Sequence, residues 1–136
     1  MNKTDCKRLF NEALKARENS YSPYSEYKVG AALLCEDDSV YTGCNIENAA
    51  YTPTVCAERV ALFKAVSEGK RKFKAIAIAG GKQKAETCTP CGVCRQVMAE
   101  FCDSKKFEII FLKDGELKSL TLDELLPMSF SPLNLK

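Results

Sequence analysis

A chain of 136 residues, 46% apolar, has the length and balance of one globular domain, expected to span residues 1–136. Its formal charge of +2 carries no polyanion-binding signature. No apolar run approaches membrane-spanning length and no positively charged start leads into an apolar stretch, so a cytoplasmic protein without membrane contact is expected. Histidine is absent, which excludes a Ser-His-Asp triad, a Cys-His nucleophile pair and a histidine-held metal within this chain.

Thr4 or Asp5 can cap a first helix that runs to about Asn19, with Leu9, Phe10, Ala13 and Leu14 on one face. Ser22-Pro23-Tyr24-Ser25 breaks it. Val29 to Cys35 reads as a buried strand, and a turn at Glu36-Asp37-Asp38-Ser39 leads into a second strand, Val40 to Asn45, completing a hairpin. The stretch from Ile46 to Val55 has no clear period and contains Pro53, so it reads as a loop. Thr54 is placed to cap a helix from about Cys56 to Glu68, ended by Gly69. Its apolar positions, Ala57, Val60, Ala61, Leu62, Phe63, Ala65 and Val66, predict burial, with Lys64 facing out.

Phe73 to Ala79 is a third, nearly continuous apolar strand, followed by a polar loop from Gly80 to Pro90. A second buried helix is expected from Cys91 to about Cys102, with Val93, Val97, Met98 and Phe101 inward. Phe107 to Leu112 is a fourth strand, and Asp114-Gly115 turns into a fifth, Glu116 to Leu120. Thr121 caps a short helix, Leu122 to Leu126, which Pro127 stops. Strands alternating with helices after an opening hairpin predict an α/β fold, a mixed five-stranded sheet flanked by helices.

Cys56-Ala57-Glu58 and Pro90-Cys91-Gly92-Val93-Cys94-Arg95 both fall at expected helix N-termini. Eight cysteines without a secretion signal point to ligands, nucleophiles or small core residues rather than to a disulfide framework. Two cysteines separated by two residues can hold one metal ion from the first turn of a helix, and Cys56 is the best candidate for a third thiolate. Three thiolates around zinc leave its fourth position open, as a catalytic site requires. Glu58, two residues beyond Cys56, is placed to act as general acid and base for a zinc-bound water. Such a centre is formally anionic. Helix N-termini offset that charge, and Arg59 and Arg95 can donate hydrogen bonds to thiolate sulfur.

Spacing alone leaves alternatives. Cys88-Thr89-Pro90-Cys91 is itself a C-x-x-C, and a lone C-x-x-C is often a redox dithiol or half of a structural zinc site. Cys6, Cys35, Cys44 and Cys102 read as small buried or half-buried thiols. Asn45 and Glu47 point the same way if their strand continues, and an amide with a carboxylate can hold a sugar hydroxyl, although both are ordinary at a polar strand end. Lys70-Arg71-Lys72 with Lys74 reads as a solvated turn rather than a nucleic-acid contact.

Cys56-Ala57-Glu58 followed by Pro90-Cys91-Gly92-Val93-Cys94, with Asn45-Ile46-Glu47-Asn48 upstream, strongly resembles the cytidine deaminases over essentially the whole chain. In particular it resembles their short members with three cysteine ligands. The resemblance implies a three-layer fold and one zinc per chain held by Cys56, Cys91 and Cys94, with Cys88 outside the set. It implies that zinc hydroxide attacks C4 of the cytosine ring while Glu58 moves a proton to N3 and then to the departing amine.

By the same resemblance Asn45, Ile46, Glu47, Asn48, Ala49, Ala50 and Tyr51 line the nucleoside pocket, with Asn45 and Glu47 on the sugar. Ala57 offers its backbone N–H to the base. Tyr27 stands where the family usually has phenylalanine beside the nucleoside. Phe130 reaches the base of a neighbouring subunit in a homotetramer. The implied role is salvage of cytidine and deoxycytidine in the cytoplasm, with nucleic acid not expected as a partner. The competing classes are a deaminase of an antibiotic or nucleotide, a structural zinc module that binds RNA or protein, and a dithiol redox protein. Function would survive Glu58→Ala in the zinc module, and the redox protein would lack stoichiometric zinc.

Overall fold

The computed structural model describes residues 1–136. Helix α1 (Lys3–Arg17) leads into a hairpin of β1 (Lys28–Cys35) and β2 (Val40–Cys44). Then come α2 (Ala57–Ser67), β3 (Phe73–Gly81), α3 (Gly92–Phe101), β4 (Glu108–Lys113), β5 (Glu116–Thr121), a short α4 (Leu122–Leu125) and a closing 3-10 turn, Pro132–Leu135. The five strands form one sheet in the order β2-β1-β3-β4-β5. Only β3 and β4 run parallel, and α3 makes the crossover that a parallel pair needs.

Successive residues of a strand face opposite sides, and here each side meets its own helices. Ala31, Leu33, Cys35, Ile76, Ile78 and Ile109 pack with α2 and α3 through Ala61, Leu62, Cys94 and Met98. Ala32, Ala75, Ala77, Ala79 and Ile110 pack on the other face with α1 through Leu9, Phe10 and Ala13. The three-layer α/β arrangement with a mixed sheet is therefore the expected one. The near-continuous apolar run of β3 follows from burial on both faces, with alanines against α1 and isoleucines against α2 and α3.

Glycine at 43 sets the height of α2 above the sheet. A Cβ there would lie 2.6 Å from the Ala57 carbonyl oxygen and 2.7 Å from the Ala61 nitrogen, both backbone atoms of α2. The first turn of α2 therefore rests directly on β2, and this fixes where Cys56 and Glu58 begin the helix.

Three local expectations are corrected. Asn2, rather than Thr4 or Asp5, caps α1, its side chain accepting the Asp5 N–H at 2.8 Å. Thr54 does not cap α2; its hydroxyl accepts the Asn48 N–H at 3.1 Å, and Cys56 occupies the cap position without a side-chain cap bond. Phe63 (47% exposed) and Val93 (58% exposed) point outward. The sheet-facing stripe of α2 is Ala57, Glu58, Ala61, Leu62 and Ala65, and that of α3 is Cys94, Met98 and Ala99, so Phe63 and Val93 fall off the helical period. Thr121 caps α4 in a reciprocal capping box with Glu124, as expected. No helix is long and apolar enough to cross a membrane.

Candidate active site

The N-termini of α2 and α3 meet, and each is opened by a cysteine in extended conformation, Cys56 and Cys91. Their Sγ atoms lie 3.8 Å apart. The Cys91 sulfur also accepts the Cys94 N–H at 3.4 Å, which folds Cys94 back beside it. The sulfurs of Cys56, Cys91 and Cys94 all lie within 4.8 Å of one another. Zinc–sulfur bonds of about 2.3 Å at tetrahedral angles separate neighbouring sulfurs by about 3.8 Å, which is the Cys56–Cys91 separation, and the Cys94 sulfur is near enough to share the same ion. Cys94 is buried, Cys56 half-buried and Cys91 exposed, which leaves the cluster accessible from one side. Cys88 lies outside the cluster. Its sulfur packs over the bare α-carbon of Gly80, and burial pushes its thiol up to about 11.

The electrostatics of the cluster favour a cation. A hydrogen bond from Cys94, reinforced by Arg59 and Cys91, pulls the Cys56 thiol down to about 5. The same bond and burial raise the Cys94 thiol. The pair thus loses one proton readily and the second with difficulty, because two adjacent thiolates, one of them buried, repel. A bound dication removes that penalty. Arg59 donates from Nη2 to the Cys56 sulfur at 3.4 Å, and its buried Nε has no hydrogen-bond partner. Glu58, in the first turn of α2, is 5% exposed, and burial raises its carboxyl to about 7, with the negative Cys56 sulfur adding to the rise. A carboxyl with a pKa near neutrality can both give and take a proton.

Arg95 does not make the expected contact with sulfur. Its Nε donates to the Pro90 carbonyl at 2.7 Å, its Nη1 to the Leu125 carbonyl at 2.7 Å and its Nη2 to the Thr89 hydroxyl at 3.4 Å. Arg95 follows the buried Cys94, and the helical turn of about 100° per residue carries its side chain away from the cluster. There it ties the loop ahead of Cys91 to α4.

The chain stays extended beyond β2, where Ile46 bridges both Tyr21 and Val55. The side chain of Asn45 is almost fully engaged. Its Oδ1 accepts the Val29 N–H at 2.9 Å and the Ser20 hydroxyl, and its Nδ2 donates to the Tyr27 carbonyl at 2.8 Å. One amide N–H remains free. Glu47 accepts the N–H groups of Tyr24 (2.9 Å) and Ser25 (3.1 Å) on Oε1 and the Ser25 hydroxyl on Oε2. These bonds, the Ser25 hydroxyl first, hold its carboxyl below the usual range. Ser25 carries no signal in the sequence, since serine in a turn is ordinary.

Asn48 accepts the Ala50 N–H at 2.9 Å in a tight turn that leaves Ala49 and Ala50 exposed and places Tyr51 in the left-handed region at φ 63°. The Tyr51 ring meets Tyr24 edge-on at 6.0 Å, and both line an open hollow of about 370 Å³ with Ser25, Glu47 and Thr54. Tyr27 is half-buried with its hydroxyl beside Cys88 and Glu86, and burial together with those neighbours raises its pKa. Cys88 in turn lies within electrostatic range of Glu58 and Cys56, so Tyr27 stands at the edge of the sulfur cluster. Ala57 is buried in the first turn of α2. Phe130 is 60% exposed and tethered through its carbonyl, which accepts the Gln96 Nε2 at 2.8 Å.

The sequence pattern of the cytidine and deoxycytidylate deaminase zinc-binding region matches residues 3–110. The chain belongs to the cytidine and deoxycytidylate deaminase family. It is 50% identical over 127 residues to a cytidine deaminase of Sporosarcina psychrophila, covering 93% of this chain and 92% of that protein. A cytidine deaminase of Halalkalibacterium halodurans is 49% identical over 127 residues, with coverage of 93% and 95%. The crystal structure of a cytidine deaminase from Burkholderia pseudomallei superposes with a TM-score of 0.84 at 41% identity, covering 96% of this chain and 100% of that one. This deaminase is accordingly a zinc enzyme, with one zinc per chain at the Cys56, Cys91 and Cys94 sulfurs.

Proposed function

We propose that this deaminase hydrolyses the exocyclic C–N bond of cytidine and deoxycytidine, giving uridine or deoxyuridine and ammonia. The observation that carries the reading is a carboxyl at Glu58, buried to 5% exposure and raised to about 7, two residues beyond Cys56 in a sulfur cluster of zinc dimensions. Zinc at that cluster supplies a Lewis acid that makes water nucleophilic near neutral pH. Glu58 takes the first proton of the attacking water and delivers it to N3 as the oxygen bonds to C4. It then carries the second proton to the exocyclic nitrogen, the C4–N bond breaks, and ammonia leaves. Arg59 and the N-termini of α2 and α3 stabilise the thiolates that this chemistry surrounds with negative charge. The Ala57 N–H, at the start of α2, is the donor for the base.

The sugar reading rests on what Asn45 and Glu47 have left. One amide N–H and one carboxylate lone pair suit a hydroxyl that accepts from the first and donates to the second. The ionised Glu47 opposes a phosphate there, and Arg59 and Arg95 are both engaged elsewhere, which favours a nucleoside over a nucleotide. Ile46, Asn48, Ala49, Ala50, Tyr51 and Tyr27 complete the pocket wall. The exposed apolar side chains of Phe63, Val93 and Phe130 support a homotetramer in which Phe130 reaches a neighbouring site. The chain then acts as one domain in pyrimidine salvage in the cytoplasm. Loss of ultraviolet absorbance on cytidine and deoxycytidine, measured on protein of known zinc content, tests the reading. One zinc per chain with rapid turnover is expected, and one zinc with no turnover on either nucleoside refutes the substrate assignment.

A further inference from the structure

Glu47 is held more tightly than a carboxylate waiting for a ligand needs to be. A carboxylate accepts about four hydrogen bonds. Tyr24 N–H and Ser25 N–H occupy Oε1, and the Ser25 hydroxyl occupies one side of Oε2. A single lone pair on Oε2 is left. The Ser25 hydroxyl has no rotational choice, because its oxygen accepts the Tyr27 N–H at 3.0 Å and its only proton then goes to Glu47.

The turn that carries these donors is itself constrained. Glu26 sits in the left-handed region at φ 59° and its N–H bonds the Ser22 carbonyl at 3.0 Å, which points the N–H groups of Tyr24 and Ser25 at one spot. Such convergent backbone donors form an anion nest, and the carboxylate of Glu47 fills it. The backbone of Glu47 follows Ile46, which is bridged on both sides, so the carboxylate is fixed from both ends.

We propose that Ser25 is a positioning residue that aims the one free lone pair of Glu47 at a sugar hydroxyl of the nucleoside, an inference that rests on the nucleoside reading above. With the hydroxyl in place, Oε2 offers one direction to a ligand. Without it, two lone pairs of Oε2 are open to water and the carboxylate plane turns about the contacts on Oε1, so the bond to the sugar loses its alignment. Ser25 is exposed, and its truncation removes no core packing.

The experiment compares wild type, Ser25→Ala and Ser25→Thr as zinc-loaded full chains, with cytidine and with 2′,3′-dideoxycytidine, which lacks the ring hydroxyls. Ser25→Ala is expected to raise KM for cytidine roughly tenfold with kcat within about twofold, the pattern of lost uniform binding. Its apparent affinity for dideoxycytidine should stay that of wild type, and Ser25→Thr, which keeps the hydroxyl, should restore cytidine. Equal weakening of both ligands would mean that Ser25 only braces the turn, and no change in either would mean that Glu47 needs no aiming; each overturns the inference. A wild-type enzyme that does not turn over cytidine refutes the nucleoside reading instead, and the same assay reveals it before any variant is compared.

Discussion

Replacing Glu58 by Gln keeps the volume of the side chain and removes both its charge and its proton chemistry. Burial raises the carboxyl from 4.5 to about 7. At about 1.4 kcal/mol per pKa unit, an ionised Glu58 costs the zinc-free fold on the order of 3 kcal/mol. Between 4.5 and about 7 the folded chain keeps a proton that the unfolded chain has released, so stability falls as pH rises through that window and levels off above it. Glu58→Gln removes this slope. Urea denaturation of the metal-stripped protein should show the variant more stable by on the order of 3 kcal/mol at about pH 8 and nearly unchanged at about pH 4. The zinc-loaded variant should retain its metal and lose kcat by about 10²–10⁴-fold, the span of general acid–base catalysis. A stability gain equal at both pH values would refute burial as the source of the raised pKa. A kcat within tenfold of wild type, with zinc retained, would refute Glu58 as proton carrier.

Cys91→Ala should abolish zinc binding and turnover, whereas Cys88→Ala should keep one zinc per chain by metal analysis, because its sulfur packs on Gly80 outside the cluster. Asn45→Ala leaves the Val29 N–H and the Tyr27 carbonyl without their partner and should cost roughly 2–4 kcal/mol in urea denaturation. Gly43→Ala drives a methyl into the backbone of α2 and should displace Cys56, lowering zinc affinity by about tenfold or more in competition with a chelator. Unchanged affinity would mean that α2 shifts without carrying Cys56 along.

Neighbouring residues alone account for most of the elements and for the two cysteine segments at helix starts. The apolar run of β3, the Thr121 capping box and the hairpin of β1 and β2 are written in neighbouring residues, where side-chain period and cap chemistry act over a few positions. The same holds for Cys-x-x-Cys and for Cys-Ala-Glu, because a helix start brings residues two or three apart to one place. Other features depend on how the elements are rotated against one another. Arg59 meets the Cys56 sulfur and Arg95 does not, although each adjoins a ligand segment, since the facing carbonyls of Pro90 and Leu125 belong to other elements. Phe63 faces out because the seat of α2 on Gly43 selects a different stripe. Ser25 and Glu47 are separated by 22 residues, and nothing local to either shows that a turn will close around the carboxylate and leave it a single free direction. Spacing can place a charge on an element, but the donors that aim it come from wherever the fold brings other backbone N–H groups.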